Sequence, residues 1–134
     1  MSDHDLDILL VQLQDGREQV RIEAIKKFIK QPSKLAKKQL IQRLKDQSSD
    51  VRYWAVCALD ALSEPSTLKD VRELLHDSSR LVRMAVVRFV GRKPSKSEFS
   101  ALLEMLGDPD DDVRSLASNC LARYPEKMVP QILD

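Results

Sequence analysis

Apolar residues recur along the chain at the spacing of one helix face, and the whole pattern repeats every 31 residues. The dipeptide Val-Arg marks the register, at Val20–Arg21, Val51–Arg52, Val82–Arg83 and Val113–Arg114. Before each arginine, two apolar residues lie at i and i+4, as at Leu9 and Leu13 or at Leu40 and Leu44. A fixed period of this length is typical of stacked helical hairpins.

The pattern predicts two helices in each repeat, which we name helix A and helix B. Helix A is predicted at about residues 4–14, 34–45, 67–76 and 96–106, and helix B at about 18–30, 49–62, 79–91 and 111–123. Within helix B, the residues at positions −1, +3, +4 and +7 from the arginine are mostly apolar or small, so this face is predicted to be buried. Three of the joints between repeats contain Pro-Ser, a pair that ends one helix and caps the next.

The predicted fold class is therefore all-α, an α-solenoid of four helical hairpins in a single domain over residues 1–134. The repeats span about residues 4–32, 33–64, 65–94 and 95–124. Leu133 follows Leu102 by one period, and Pro125 follows Pro94 by one period. Residues 125–134 are therefore predicted to begin a partial fifth repeat with a C-terminal helix.

An aspartate precedes each Val-Arg arginine by six residues, and the two columns share one register. The aspartates are Asp15, Asp46, Asp77 and Asp108, and the arginines are Arg21, Arg52, Arg83 and Arg114. At 100° per residue the arginines lie beside the buried face of helix B, where a charged group needs an acid as its partner. The aspartates are the acids that repeat in this register, so both columns are predicted to be structural.

With Asp-x5-Arg and Val-Arg-x-x-Ala repeating in helical hairpins, the sequence resembles the HEAT-repeat family. It is most similar to the short-repeat variety of phycobilisome-lyase-like proteins, and the resemblance covers residues from about 5 to 123. The resemblance implies a right-handed superhelix with the B helices on its concave side. It also implies that the aspartate and arginine columns form a ladder between repeats.

The face of helix B opposite the core carries apolar residues at its centre and basic residues at its edge. Positions +1, +2, +5 and +9 are Ile22, Glu23, Lys26 and Lys30; Tyr53, Trp54, Cys57 and Ala61; Met84, Ala85, Arg88 and Arg92; and Ser115, Leu116, Asn119 and Arg123. Aromatic residues, methionine and arginine are enriched in protein interfaces, so the sequence predicts a concave surface that binds an apolar and acidic protein segment. The other interpretation is that Tyr53 and Trp54 pack between neighbouring B helices.

Charge gives a second line of argument about the partner. The 22 basic residues balance 21 acids, so no overall field directs the chain to nucleic acid or to an anionic membrane. Residues 24–45 nevertheless carry eight bases and no acid, and residues 80–96 carry six. Such runs are usually solvated helix faces, and the alternative is a HEAT-like module that binds nucleic acid.

Residues that would support catalysis are scarce, so the sequence predicts a non-enzymatic module without cofactor, metal site or catalytic residues. The two histidines share no register, the two cysteines lack metal-site spacing, and no glycine-rich phosphate loop is present. A bilin lyase-like subunit is the enzymatic alternative that the resemblance implies. The acidic N-terminal segment and the short apolar runs predict a cytoplasmic protein without a membrane span.

Overall fold

A computed structural model describes residues 1–92 and 95–125, and within these ranges all regular structure is helical. Eight α-helices lie in the described part of the chain: α1 Asp3–Gln12, α2 Glu18–Lys30, α3 Lys37–Arg43, α4 Ser49–Leu62, α5 Leu68–Arg72, α6 Arg80–Val90, α7 Lys96–Met105 and α8 Asp111–Ala122. Short 3-10 turns occupy Lys34–Ala36, Pro65–Thr67 and Glu73–His76. The predicted all-α class and its helical hairpins are confirmed.

The B helices agree with the sequence prediction more closely than the A helices do. Helices α2 and α4 begin and end at the predicted residues, whereas the predicted A helices over 34–45 and 67–76 are interrupted. The first of these opens as a 3-10 turn, where Ser33 accepts a hydrogen bond from the N–H of Leu35. The second opens on Pro65 and returns to a 3-10 turn before its end, so only five residues are α-helical. The predicted fifth helix lies outside the described residues.

Three of the B helices begin at a polar cap. Ser48, Ser79 and Asp110 each accept a hydrogen bond from the valine N–H three residues later, which stabilises the starts of α4, α6 and α8. Helix α2 has Arg17 at this position, and the Arg17 side chain makes no capping bond. The first repeat therefore departs from the pattern of the other three at its B-helix start.

Burial follows the predicted face of the B helices. Every residue at positions −1, +3, +4 and +7 is buried except Val20, Ser118 and Leu121.

The chain divides into two compact units, Met1–Leu74 and Leu75–Asp134. In the first unit α2 packs against α4, α3 against α4 and α1 against α2; in the second unit α6, α7 and α8 pack together. The single domain over the whole chain stays a prediction.

Close contacts between side chains and backbone hold the helices of the second unit together. A Cβ on Gly91 would lie 2.9 Å from the Cβ of buried Cys120, so glycine lets α6 approach α8. The rings of Phe99 and Tyr124 meet edge to face with centroids 5.0 Å apart, and the Tyr124 hydroxyl donates to the carbonyl of Ser95. Across the described residues, no helix combines the length and apolar character that crossing a membrane needs.

Candidate functional site

The junction between helix A and helix B is built in the same way in both units. In the first unit, Arg21 donates from Nε and Nη2 to the Asp46 carboxylate, both at 3.0 Å. Its Nη1 donates to the carbonyl of Asp15 at 2.8 Å. The Asp46 Oδ1 atom also accepts the backbone N–H of Ser48 at 3.0 Å, which shapes the turn into α4. One aspartate therefore forms the turn of its own repeat and holds the arginine of the preceding one.

The second unit shows the same geometry two repeats further along the chain. Arg83 donates to the Asp108 carboxylate at 2.9 and 3.2 Å and to the carbonyl of Asp77 at 2.7 Å. Asp108 accepts the N–H of Asp110 at 2.9 Å, as Asp77 accepts that of Ser79. These bidentate pairs are charge-assisted and mostly sheltered from solvent.

Burial assigns these pairs to the scaffold. The side chains of Arg21 and Arg83 are each 13% exposed, and those of Asp46 and Asp108 are 5% and 4% exposed. Such groups cannot present themselves to a ligand without breaking the junction. The pairing of Arg52 with Asp77, which belong to different units, stays a prediction.

The first and last members of the ladder have different partners. Asp15 is held by Arg17 through Nε, Nη2 and the backbone N–H at 3.0, 3.1 and 2.8 Å. Arg114 donates to the carbonyl of Asp108 at 2.6 Å and pairs with exposed Asp111. The role of Arg17 was not predicted from the sequence. The signal was present, because an arginine stands where the other repeats have Ser48, Ser79 and Asp110.

We expect the pKa of Asp15 to be about 2, below its ordinary 3.8, because the Arg17 side chain and backbone N–H both donate to the charged form. A lowered pKa means that this interaction stabilises the fold above about pH 4 and is lost as the pH falls towards 2. Carboxyl ¹³C NMR titration measures the midpoint. Arg17→Ser should raise the titration midpoint of Asp15. The midpoint of Asp5, whose pKa is lowered by hydrogen bonds with Ser2, should stay unchanged. An unmoved Asp15 midpoint would contradict the assignment.

The predicted binding residues of the first unit cluster around Trp54. The Lys26 Nζ atom of α2 lies 4.8 Å from the Trp54 ring centroid, a cation–π distance, and the Tyr53 ring meets the indole edge to face at 5.1 Å. Tyr53, Trp54 and Cys57 are half-buried, so the aromatic pair is neither sealed in the core nor fully solvated. Among the described residues, the Trp54 indole N–H donates to no acceptor. We call Lys26, Tyr53, Trp54 and Cys57 the tryptophan face.

The predicted residues of the second unit lie on α6 and α8, which pack together. Met84 and Leu116 are half-buried, whereas Arg88, Arg92, Asn119 and Arg123 are exposed. Arg80 contacts the Met84 sulfur at 3.6 Å and pairs with Asp110 and Asp112. We call the residues Met84, Arg88, Arg92, Leu116, Asn119 and Arg123 the arginine face.

Two residues of the predicted B-helix surface are misplaced. Ile22 is 6% exposed and Ala85 is 2% exposed, so the prediction that they line a binding surface was wrong. The reason is that α2 packs against α4 and α6 packs against α8, and these contacts between B helices cover a side of each helix that the sequence prediction left exposed. The continuity of the tryptophan and arginine faces stays a prediction, because they lie on different units.

A family model for HEAT repeats matches the chain over residues 6–87 and again over residues 37–122. The chain belongs to the HEAT-repeat family. HEAT repeats generally mediate protein–protein interactions, and HEAT scaffolds are generally non-enzymatic. A comparison with curated proteins finds no match.

Several bases of the HEAT-repeat protein's first basic run are paired with acids. Lys34 and Lys37 both approach the Glu64 carboxylate, at 3.6 and 3.2 Å, and the hydrogen bond from Lys37 is the main cause of the lowered pKa of Glu64. Lys26 pairs with Glu23 and Arg43 with Asp46. Glu64 and Asp46 lie outside the run, which is why the sequence count overstates its free positive charge.

Two other features complete the survey of the described residues. None of their His, Cys, Asp and Glu side chains form a group of three or more that could hold a metal ion. An open groove of about 490 Å³ lies between α1 and α2, with Ile8 and Leu9 on one side and Lys27 and Lys30 on the other. Asp5 also lines it, so both charge signs are present.

Proposed function

We propose that this HEAT-repeat protein is a non-enzymatic interaction module whose B helices bind a protein segment carrying acidic and apolar side chains. The observation that carries the proposal is the tryptophan face, where a half-buried indole lies beside a lysine ammonium. Tryptophan, tyrosine and basic residues at a partly exposed site are the composition of an interface core.

The tryptophan face supplies both kinds of contact that such a segment needs. The indole and the Tyr53 ring offer apolar area, and the indole N–H can donate to a backbone carbonyl or a carboxylate of the partner. Lys26 is 41% exposed at its side chain, so its ammonium remains accessible to an acid of the partner. The side chain of Trp54 therefore anchors the partner, and Lys26 orients it.

The arginine face adds a second contact of similar chemistry. Met84 and Leu116 provide apolar surface, and the exposed Arg88 can pair with a carboxylate in bidentate geometry. The proposal does not require one partner residue to touch both faces. Each face is tested by its own substitution.

We expect Trp54→Ala and Arg88→Glu each to weaken partner capture. Truncating a buried aromatic anchor costs about 2 kcal/mol or more, which is roughly 30-fold in affinity. Affinity capture with quantitative mass spectrometry compares the wild-type protein with each variant. Leu35→Ala and Lys38→Glu are matched controls, since both residues are exposed and belong to the predicted A helix of the second repeat.

Proteins that bind through one of these faces should be captured by the wild type and both controls, and lost with the variant of the face that they bind. If correctly folded Trp54→Ala and Arg88→Glu retain every partner, the proposal fails. A nucleic-acid partner would instead dissociate steeply between about 50 and 200 mM salt, whereas an apolar contact persists. That titration separates the two classes of partner.

A further inference from the structure

The two B helices of the second unit run side by side in the same direction. Arg80, the first residue of α6, lies 3.6 and 3.3 Å from the carboxylates of Asp110 and Asp112 at the start of α8. At the other end, a Cβ on Gly91 would lie 2.9 Å from the Cβ of Cys120, so the last turns of α6 and α8 also meet. A segment that binds along α6 therefore has the starts of both helices at one end and their last turns at the other.

These two ends of the helix pair carry opposite charge. Three consecutive aspartates open α8, and the side chains of Asp111 and Asp112 are 88% and 66% exposed. The last turns, residues 86–92 and 116–123, contain no acid. Their basic residues are Arg88, Arg92 and Arg123. This order of charges complements the dipoles of α6 and α8, and it also gives the surface an acidic end and a basic end towards a partner.

Arg88 is available to a carboxylate of the partner. It is exposed, and within the described part of the chain it forms no ion pair and no hydrogen bond. Arg80, two turns earlier on the same helix, is instead paired with Asp110 and Asp112. A guanidinium without an acid beside apolar side chains favours a carboxylate on the partner, which it can bind in bidentate geometry.

Apolar side chains lead from the acidic end to Arg88. Leu81 is 50% exposed, at a repeat position where the other repeats carry polar residues. Those residues are Gln19, Asp50 and Asp112. At 100° per residue, Leu81 and Arg88 lie within about 20° of each other on α6 and about 10 Å apart along its axis, with Met84 between them. Met84 is half-buried, as is Leu116 on α8, so the centre of this surface is apolar.

We propose that α6 and α8 bind an amphipathic helix of a partner protein that runs antiparallel to them, with its acids at Arg88 and its bases at Asp111 and Asp112. Helices favour acids in their first turn and bases in their last turn, so the antiparallel direction brings each charge to its opposite. Apolar residues one and two turns after the acid cover Met84 and Leu81. This inference rests on the proposed function, since it specifies the segment that binds at the arginine face.

Helical peptides displayed on phage serve as the probe. Each peptide has about four helical turns and a fixed apolar strip, and its first and last turns are randomised between glutamate, lysine and alanine. We expect selection on the immobilised wild-type protein to enrich glutamate in the first turn and lysine in the last turn. A nitroxide on the N-terminus of a selected peptide should broaden the NMR signals of Arg88 and Gly91. A nitroxide on its C-terminus should broaden those of Leu81 and Asp112.

Leu81→Ser should weaken binding of the selected peptide about fivefold, because the peptide covers this side chain. Leu103→Ser is the matched control, since Leu103 of α7 is 42% exposed and its substitution should leave the affinity unchanged. Circular dichroism checks that both variants fold.

Three results would overturn the inference. One is that no peptide is enriched on the wild type relative to the Arg88→Glu protein. Another is that the enriched peptides show no order of charge. The third is that the nitroxide labels report the parallel direction. If natural partners are nevertheless lost with Arg88→Glu, the proposed function stands and only this inference is rejected.

Discussion

Leu44→Ala should lower the free energy of unfolding by about 2–5 kcal/mol, whereas Leu106→Ala should lower it by roughly 1 kcal/mol or less. The two leucines occupy the same position of their repeats, but Leu44 is 3% exposed and Leu106 is 40% exposed. Truncation of Leu44 leaves a cavity in the core, while the space beside Leu106 is already open to water. The two substitutions therefore remove the same side chain at the same repeat position, and the two sites differ in their burial.

Urea denaturation followed by circular dichroism measures both variants. The fluorescence of Trp54, the one tryptophan of the sequence, adds a local probe in the unit that contains Leu44. If both variants lost the same free energy of unfolding, Leu106 would contribute as much to stability as Leu44, and the prediction would be wrong.

Asp108→Ala should destabilise the protein by about 3 kcal/mol, the lower part of the range for removing one partner of a buried ion pair. The carboxylate of Asp108 receives the Arg83 fork and the N–H of Asp110, so the substitution leaves a guanidinium that is only 13% exposed without its counter-ion. Asp112→Ala is the matched control. The Asp112 side chain is 66% exposed, and its pair with Arg80 should be worth about 0–1 kcal/mol.

A double variant separates the cost of leaving the Arg83 guanidinium unpaired from the other effects of removing the Asp108 side chain. Arg83→Met in the Asp108→Ala background removes the uncompensated guanidinium, so part of the lost stability should return. Thermal unfolding of the two single variants and the double variant gives the coupling energy. Purely additive losses would show that Asp108 acts through its turn rather than through Arg83.

The B helices were predictable because their apolar residues keep one period and three of their starts carry a polar cap. The A helices were predicted less well, since Pro65 and the 3-10 turns shorten α5 in a way that apolar spacing does not reveal. Burial of Ile22 and Ala85 depends on a second neighbouring helix, which a projection of a single helix leaves out. Contacts such as that of Lys37 with Glu64 have no periodic signal at all.

Asp46 and Asp108 each accept hydrogen bonds from two arginines, one at the carboxylate and one at the backbone carbonyl. The loop that carries such an aspartate must therefore keep its length, because an inserted residue would pull the carbonyl and the carboxylate away from their partners together. In the described segments between hairpins, no aspartate is bonded to two arginines in this way. Insertions and deletions should accumulate there, and fusion tags or peptide grafts placed there should be tolerated better than within the junctions.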